Sequence, residues 1–197
     1  SSQPVASGDR VVEVLRKLSA QPFVVPVAVT NSEIDYQKIV NDPEWVARVR
    51  DAGGVYFTGG SQARTTQALL TKEGSHTPLL DAIWDVYRRG GVVAGTSAGA
   101  AMMSETMFAN PRSVLSTMHQ GVRMGHEINR GLGFLQSDWF VDQHCLVRGR
   151  FARVIVAMHA KGIKYGLGID EDTAVIVRKG EELTVAGYKG VLVFDIS

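Results

Sequence analysis

Apolar runs of strand type and of helix type take turns along this chain, and few architectures accept that order. Residues 8–20, GDRVVEVLRKLSA, place Val11, Val12, Val14, Leu15 and Leu18 at helical spacing, with Asp9 as the expected cap. FVVPVAV at 23–29 predicts a strand. DPEWVARVRDAG at 42–53 predicts a helix capped by Asp42, with Pro43 at its first position and Gly53 as its stop. GVYFTGG at 54–60 is a short buried strand ending in paired glycines, and 61–70 and 78–91 are helices. The next strand is VVAGTS at 92–97, and the next helix is AGAAMMSETM at 98–107. Such alternation implies an α/β fold with a mostly parallel central sheet and helices on both faces.

The remainder is less regular. Residues 108–135 carry Gly, Asn, Ser, His and Met without a clear period and read as long loops, a kind of segment that in compact domains is often functional. Residues 133–162 predict a short strand, a polar cluster and a helix from about 150 to 160. The end of the chain reads as several strands joined by glycine turns, RKGE at 178–181 and YKG at 188–190. With 197 residues, 45% of them apolar, residues 1–197 are expected to form a single domain around one core.

Charge and cysteine content exclude several functions. The 21 Lys and Arg nearly cancel the 20 Asp and Glu, and no basic block runs along the chain, so nucleic acid is not an expected partner. One cysteine, Cys145, allows no internal disulfide, and its spacing from the five histidines makes no metal cluster; no metal or cofactor is expected. No apolar run is long enough for a membrane span, and SSQPVASGDR lacks the basic and apolar regions of a signal peptide. A cytoplasmic location without membrane attachment is the expectation, with a secreted or periplasmic form left open.

Ser97 stands where the strand type gives way to the helix type. Gly95 and Gly99 flank it at two residues on either side, which removes side chains from the places where a sharp strand-to-helix turn would clash. A G-x-S-x-G turn also serves plain helix-on-sheet packing, so the rest of the chain must supply the chemistry. The carboxyl end of a central parallel strand is where open α/β sheets bind ligands. The helix expected to start near Ala98 would point its first amides there.

A hydroxyl in that position needs a base. Of the histidines, His76, His119 and His126 have no distinctive setting, and His159 reads as a helix-end residue. His144 stands among Asp142, Gln143, Arg148, Arg150 and Arg153, denser polar chemistry than a solvated helix face requires. An acid to orient its ring is offered by Asp170, Glu171 and Asp172, three adjacent carboxylates that repel one another unless a cation compensates. Cys145, next to His144 on a strand, points to the opposite face and reads as a small buried side chain.

YFTGGSQ, GTSAGAAMM, DQHCLVRGRFAR and GLGIDEDTA, in this order over residues 53–177, resemble cyanophycinases and their relatives among the serine peptidases, which include aspartyl dipeptidase. The resemblance implies a fold like that of class I glutamine amidotransferase domains, a flavodoxin-like three-layer sandwich, with serine replacing the cysteine at the elbow. It implies a triad of Ser97, His144 and Glu171, and a homodimer. An α/β-hydrolase would instead need its acid between the serine and the histidine, leaving Asp138 or Asp142 too close in sequence to His144 or His159.

By the same resemblance Gln62, Asp142, Gln143, Arg148, Arg150 and Arg153 belong to the substrate site. Arginines suit a β-aspartyl-arginine polymer, which offers carboxylates along its backbone, while Asp142 or Asp172 could hold its guanidinium. The oxyanion hole would be made by the N–H of Ala98 and one from Gly59 or Gly60. Ser61 stands where the family commonly has an acid, and Cys145 where it has an aromatic. The family's glycine-rich opening strand has no counterpart ahead of Ser1, so a sheet edge is expected to be missing from these residues. Three functions follow: a cyanophycinase releasing β-Asp-Arg, a dipeptidase for α-aspartyl or isoaspartyl peptides, or an amidotransferase-like binding domain without catalysis.

Overall fold

The computed structural model describes residues 3–178 and 182–197 and divides the chain into two compact units, Ser1–Gly99 and Ala100–Ser197. In the first unit the elements are α1 (Pro4–Lys17), α2 (Tyr36–Asn41), α3 (Pro43–Arg50), β1 (Gly54–Phe57), α4 (Gln62–Leu69), α5 (Pro78–Arg88) and β2 (Val92–Gly95). β1 and β2 pair in parallel, Gly54 opposite Val92 and Phe57 opposite Gly95. α5 buries Leu79, Leu80, Ala82, Ile83 and Val86 and packs on both strands and on α3. Asp42 caps α3 as expected, its side chain accepting from the Glu44 amide at 2.8 Å, although the helix ends at Arg50, short of Gly53.

Two expectations for this unit are corrected. α1 begins at Pro4, not at Asp9, because a proline in the first turn gives up only an N–H that would have no helical partner. Residues 23–29 form no strand: Pro26 has no N–H to donate, and Val27 turns back to the Val25 carbonyl at 2.8 Å. Side chains hold this segment instead, with Phe23 stacked on Trp45 and the Arg48 guanidinium 4.0 Å from the Phe23 ring centroid. The sequence also hid α2, which Asp35 caps through the Gln37 amide.

α6 (Ala98–Ala101) crosses the boundary between the units, and the second unit continues as β3 (Thr106–Phe108), α7 (Val114–Gln120), β4 (Ile128–Arg130), β5 (Trp139–Gln143), α8 (Phe151–Lys161), β6 (Tyr165–Ile169), β7 (Thr173–Arg178), β8 (Glu182–Gly187) and β9 (Val191–Asp195). Five strands form one sheet in the order β4-β3-β5-β6-β9. Its interior pairs, β3 with β5 and β5 with β6, are parallel, and its antiparallel pairs lie at the edges. Phe108 and Phe140 meet edge to face, 5.1 Å between centroids, in a core shared with Val154, Ala157, Met158 and Ile163. α8 packs on β5 and β6, and β7 and β8 make a separate hairpin.

The helix expected over 98–107 is a single turn. Ser104 Oγ lies 3.1 Å from the Ala101 carbonyl and 2.7 Å from that of Thr106, which draws the chain out of the helix and into β3. Residues 108–135 likewise hold more order than loops: Ser113 caps α7 through the Ser116 amide, and Glu127, 5% exposed, pairs with Arg112 at 2.7 Å. The YKG turn joins β8 to β9, whereas the RKGE turn extends into residues 179–181, outside the described residues. Among the described residues no helix is long and apolar enough to cross a membrane.

Candidate active site

Ser97 has φ of 54°, a left-handed conformation that costs an ordinary residue strain. Its surroundings enforce the bend. The Thr96 amide continues the β1–β2 ladder by donating to the Phe57 carbonyl, and the Gly99 amide then closes on the Thr96 carbonyl at 2.8 Å. A Cβ on Gly95 would lie 2.4 Å from the Gly99 backbone, and one on Gly99 would lie 2.5 Å from the Phe57 carbonyl oxygen. Only glycine fits either position, which is the elbow anticipated from the G-x-S-x-G spacing.

The paired glycines after β1 approach the same serine. A Cβ on Gly59 would stand 3.4 Å from Ser97 Cβ, and Gly60 adopts φ of 140°, open to glycine alone. Ala98 is 2% exposed, and Gln62, which opens α4, is buried. Ser61, where an acid is common in the resembling family, caps α4 by accepting from the Arg64 amide. Ser97, Gly60, Ala98 and Gln62 thus belong to the first unit, and the other site residues to the second.

In the second unit His144 follows β5 and Glu171 follows β6, neighbouring parallel strands whose last paired residues are Gln143 and Ile169. Parallel pairing brings the two strand ends side by side, although 27 positions separate the residues, and His144 Nδ1 lies 2.6 Å from Glu171 Oε1. His144 also has φ of 54°, and its amide donates to the Ile169 carbonyl at 2.8 Å. The Glu171 carboxyl is held below the usual carboxylate range, first by the bond from His144, then by a backbone amide, with Lys189 adding a smaller pull. An ionised carboxylate on Nδ1 keeps that nitrogen protonated and leaves Nε2 as the basic one.

The acidic triplet is resolved into three different tasks. Asp170 is buried and accepts from the Leu146 amide at 2.9 Å, pinning the turn after His144. Glu171 faces His144, and Asp172, at φ of 53°, acts through its backbone carbonyl, which accepts from the Tyr188 amide at 2.9 Å. Lys189 Nζ stands 3.8 Å from Glu171 Oε2, a partner the sequence concealed inside what looks like an ordinary glycine turn.

The remaining site residues separate by direction. Asp142 and Arg153 form a buried two-pronged pair, Nε to Oδ2 at 2.7 Å and Nη2 to Oδ1 at 2.8 Å. Asp142 is fully buried and its Oδ1 also accepts from the Gln143 amide. Arg153 in turn lies over the Phe108 ring, 4.5 Å from its centroid. These two groups satisfy each other in the core rather than standing open to a ligand. Arg150 Nη1 donates to the Gln143 backbone carbonyl and to its side-chain Oε1, at 2.9 and 3.0 Å, while Arg148 is exposed. Cys145 is buried as expected, although it lies in the turn after β5 and not on the strand, and its thiol is pushed up to about 12 by burial and by Asp142 and Asp170. Among the described residues no group of three His, Cys, Asp or Glu could hold a metal ion.

Residues 9–185 match peptidase family S51. The chain is 32% identical over 198 aligned residues to a cyanophycinase of Geminocystis herdmanii, covering 99% of this chain and 66% of that protein. It is 33% identical to a cyanophycinase of Synechococcus elongatus, covering 99% of this chain and 56% of that protein. The chain therefore spans less than two thirds of the length of these relatives. A solved peptidase from an acI-B1 Actinobacterium has the same fold, with a TM-score of 0.72 and 22% identity over 98% of this chain and 74% of that one.

Proposed function

The chain belongs to peptidase family S51, and on that footing we propose that it hydrolyses aspartyl peptides with Ser97 as nucleophile, His144 as general base and Glu171 as the group that orients the imidazole. The observation that carries this reading is the 2.6 Å contact between His144 Nδ1 and Glu171 Oε1, in a chain that also holds Ser97 at a glycine-enforced bend. The proposal takes the two units as one peptidase domain.

In the proposed reaction His144 Nε2 takes the Ser97 proton as Oγ attacks the main-chain carbonyl of an aspartyl residue, the amide that joins one β-Asp-Arg unit to the next, so that the side-chain link to arginine stays intact. The N–H groups of Ala98 and Gly60 receive the oxyanion. The C–N bond then breaks, and the proton passes from His144 to the leaving amine. A water molecule, deprotonated by the same nitrogen, releases the acid and restores Ser97. Losing either oxyanion donor is expected to raise the barrier by on the order of 3 kcal/mol.

For the substrate we propose cyanophycin, cut to β-Asp-Arg dipeptides by a cytoplasmic homodimer. The relatives named cyanophycinase support this, as does the cationic surface offered by exposed Arg148 and partly exposed Arg150. One observation favours the second reading, an aspartyl dipeptidase. The inward turn of Arg153 onto Asp142 takes one cation away from the set a polymer would meet.

The two are separated by incubating the protein with insoluble cyanophycin, with β-Asp-Arg and with Asp-Leu, and weighing the products. Release of β-Asp-Arg from the polymer supports the first, and cleavage of dipeptides alone supports the second. Ser97→Ala should lower either activity by about a millionfold.

A further inference from the structure

We propose that Lys189 is a positioning residue for the His144–Glu171 pair, its ammonium holding the carboxylate oxygen that the histidine does not use. This rests on the proposed role of that pair. Glu171 Oε1 is committed to His144 Nδ1, whereas Oε2 is shut off from solvent and, among the described residues, accepts no hydrogen bond. A carboxylate oxygen left in that state is costly unless a cation stands near it. Lys189 Nζ does so, at 3.8 Å.

The turn that carries Lys189 is tied to the acidic triplet at every step. The Tyr188 amide donates to the Asp172 carbonyl at 2.9 Å, and the Lys189 amide to Thr173 Oγ1 at 2.9 Å. Thr173 Oγ1 in turn donates to the Glu171 carbonyl at 3.1 Å, and the Asp170 amide reaches the Gly190 carbonyl at 3.4 Å. The backbone therefore fixes where the lysine starts, and its flexible stem has only to reach across to Oε2. Of the groups around Glu171, His144 faces one oxygen and Lys189 the other. Asp170 is turned to the Leu146 amide, and Asp172 is engaged through its carbonyl.

The ammonium also favours the ionised form of Glu171, so its removal lets the pair give up its working charge state at a higher pH. The side chain of Lys189 is 45% exposed, which screens the charge and keeps the expected effect to a few-fold to about tenfold.

The test compares Lys189→Met with Lys189→Arg in the full chain, following the His144 Nδ1 proton by NMR and aspartyl-peptide hydrolysis across pH. Lys189→Met is expected to shift or broaden that proton signal, to lower kcat a few-fold to about tenfold with KM unchanged, and to move the acid limb of the profile upward. Lys189→Arg should restore all three. Wild-type signal and profile in Lys189→Met would overturn the proposal, as would a raised KM with unchanged kcat, which would make the lysine a substrate contact. If the wild-type protein cleaves no aspartyl peptide, the proposed function fails, and the NMR comparison still decides the role of Lys189.

Discussion

His144 Nδ1 and Glu171 Oε1 lie 2.6 Å apart at the ends of adjacent parallel strands, so the backbone ladder itself delivers the imidazole to its carboxylate. Glu171→Gln keeps the shape but replaces the acceptor with a group that can stabilise the wrong tautomer. Turnover should fall by roughly 10³- to 10⁴-fold while substrate binding changes little. Steady-state kinetics of β-Asp-Arg release from the polymer, or of whichever aspartyl dipeptide the wild-type protein cleaves, checks this.

The pH dependence of the same contact has a definite sign. The Glu171 carboxyl titrates below its ordinary 4.5, chiefly because of the bond from His144, so its contribution to folding is complete above that value. It is lost only as the pH falls through the lowered folded value. A carbon-13 NMR titration of the Glu171 carboxyl should place its midpoint below 4.5, and His144→Ala should bring it back up.

Gly95 and Gly99 are predicted to be irreplaceable for steric reasons. Gly95→Ala sets a methyl 2.4 Å from the Gly99 backbone, and Gly99→Ala sets one 2.5 Å from the Phe57 carbonyl oxygen. Each should destabilise the fold by about 3 kcal/mol or more in denaturant unfolding. Gly53→Ala, which meets nothing within 4 Å, should stay within about 0.5 kcal/mol of wild type.

The Asp142–Arg153 pair is expected to act as a structural strut. Asp142→Ala leaves a guanidinium buried without its carboxylate and should cost about 3 to 5 kcal/mol. A double-mutant cycle with Arg153→Met should recover much of that loss, whereas two independent substrate contacts would add without coupling.

What the sequence revealed and what it concealed divide along physical lines. Asp42 before Pro43, the glycines around Ser97 and the alternation of 54–97 are local signals, and each has its counterpart in the structure. The expected strand at 23–29 fails because an apolar run cannot announce whether a ladder partner exists, and Pro26 weakens any it might have had. The expected helix over 98–107 fails because alanine and methionine propensity yields to Ser104 and to β3 pairing with β4 and β5. Within the site, DQHCLVRGRFAR and GLGIDEDTA mark the right neighbourhoods. Only tertiary geometry sorts Asp170, Glu171 and Asp172 into separate tasks, turns Arg153 inward and brings Lys189 to Glu171.

The reactivity of Ser97 toward a fluorophosphonate probe, read as an added mass on the peptide that carries it, is the most direct measurement. Folded wild-type protein should be labelled at Ser97 alone, with labelling abolished in His144→Ala and sharply slowed in Glu171→Gln. Folded wild-type protein that takes up no probe, or a His144→Ala variant labelled as fast as wild type, would contradict a nucleophile activated by His144.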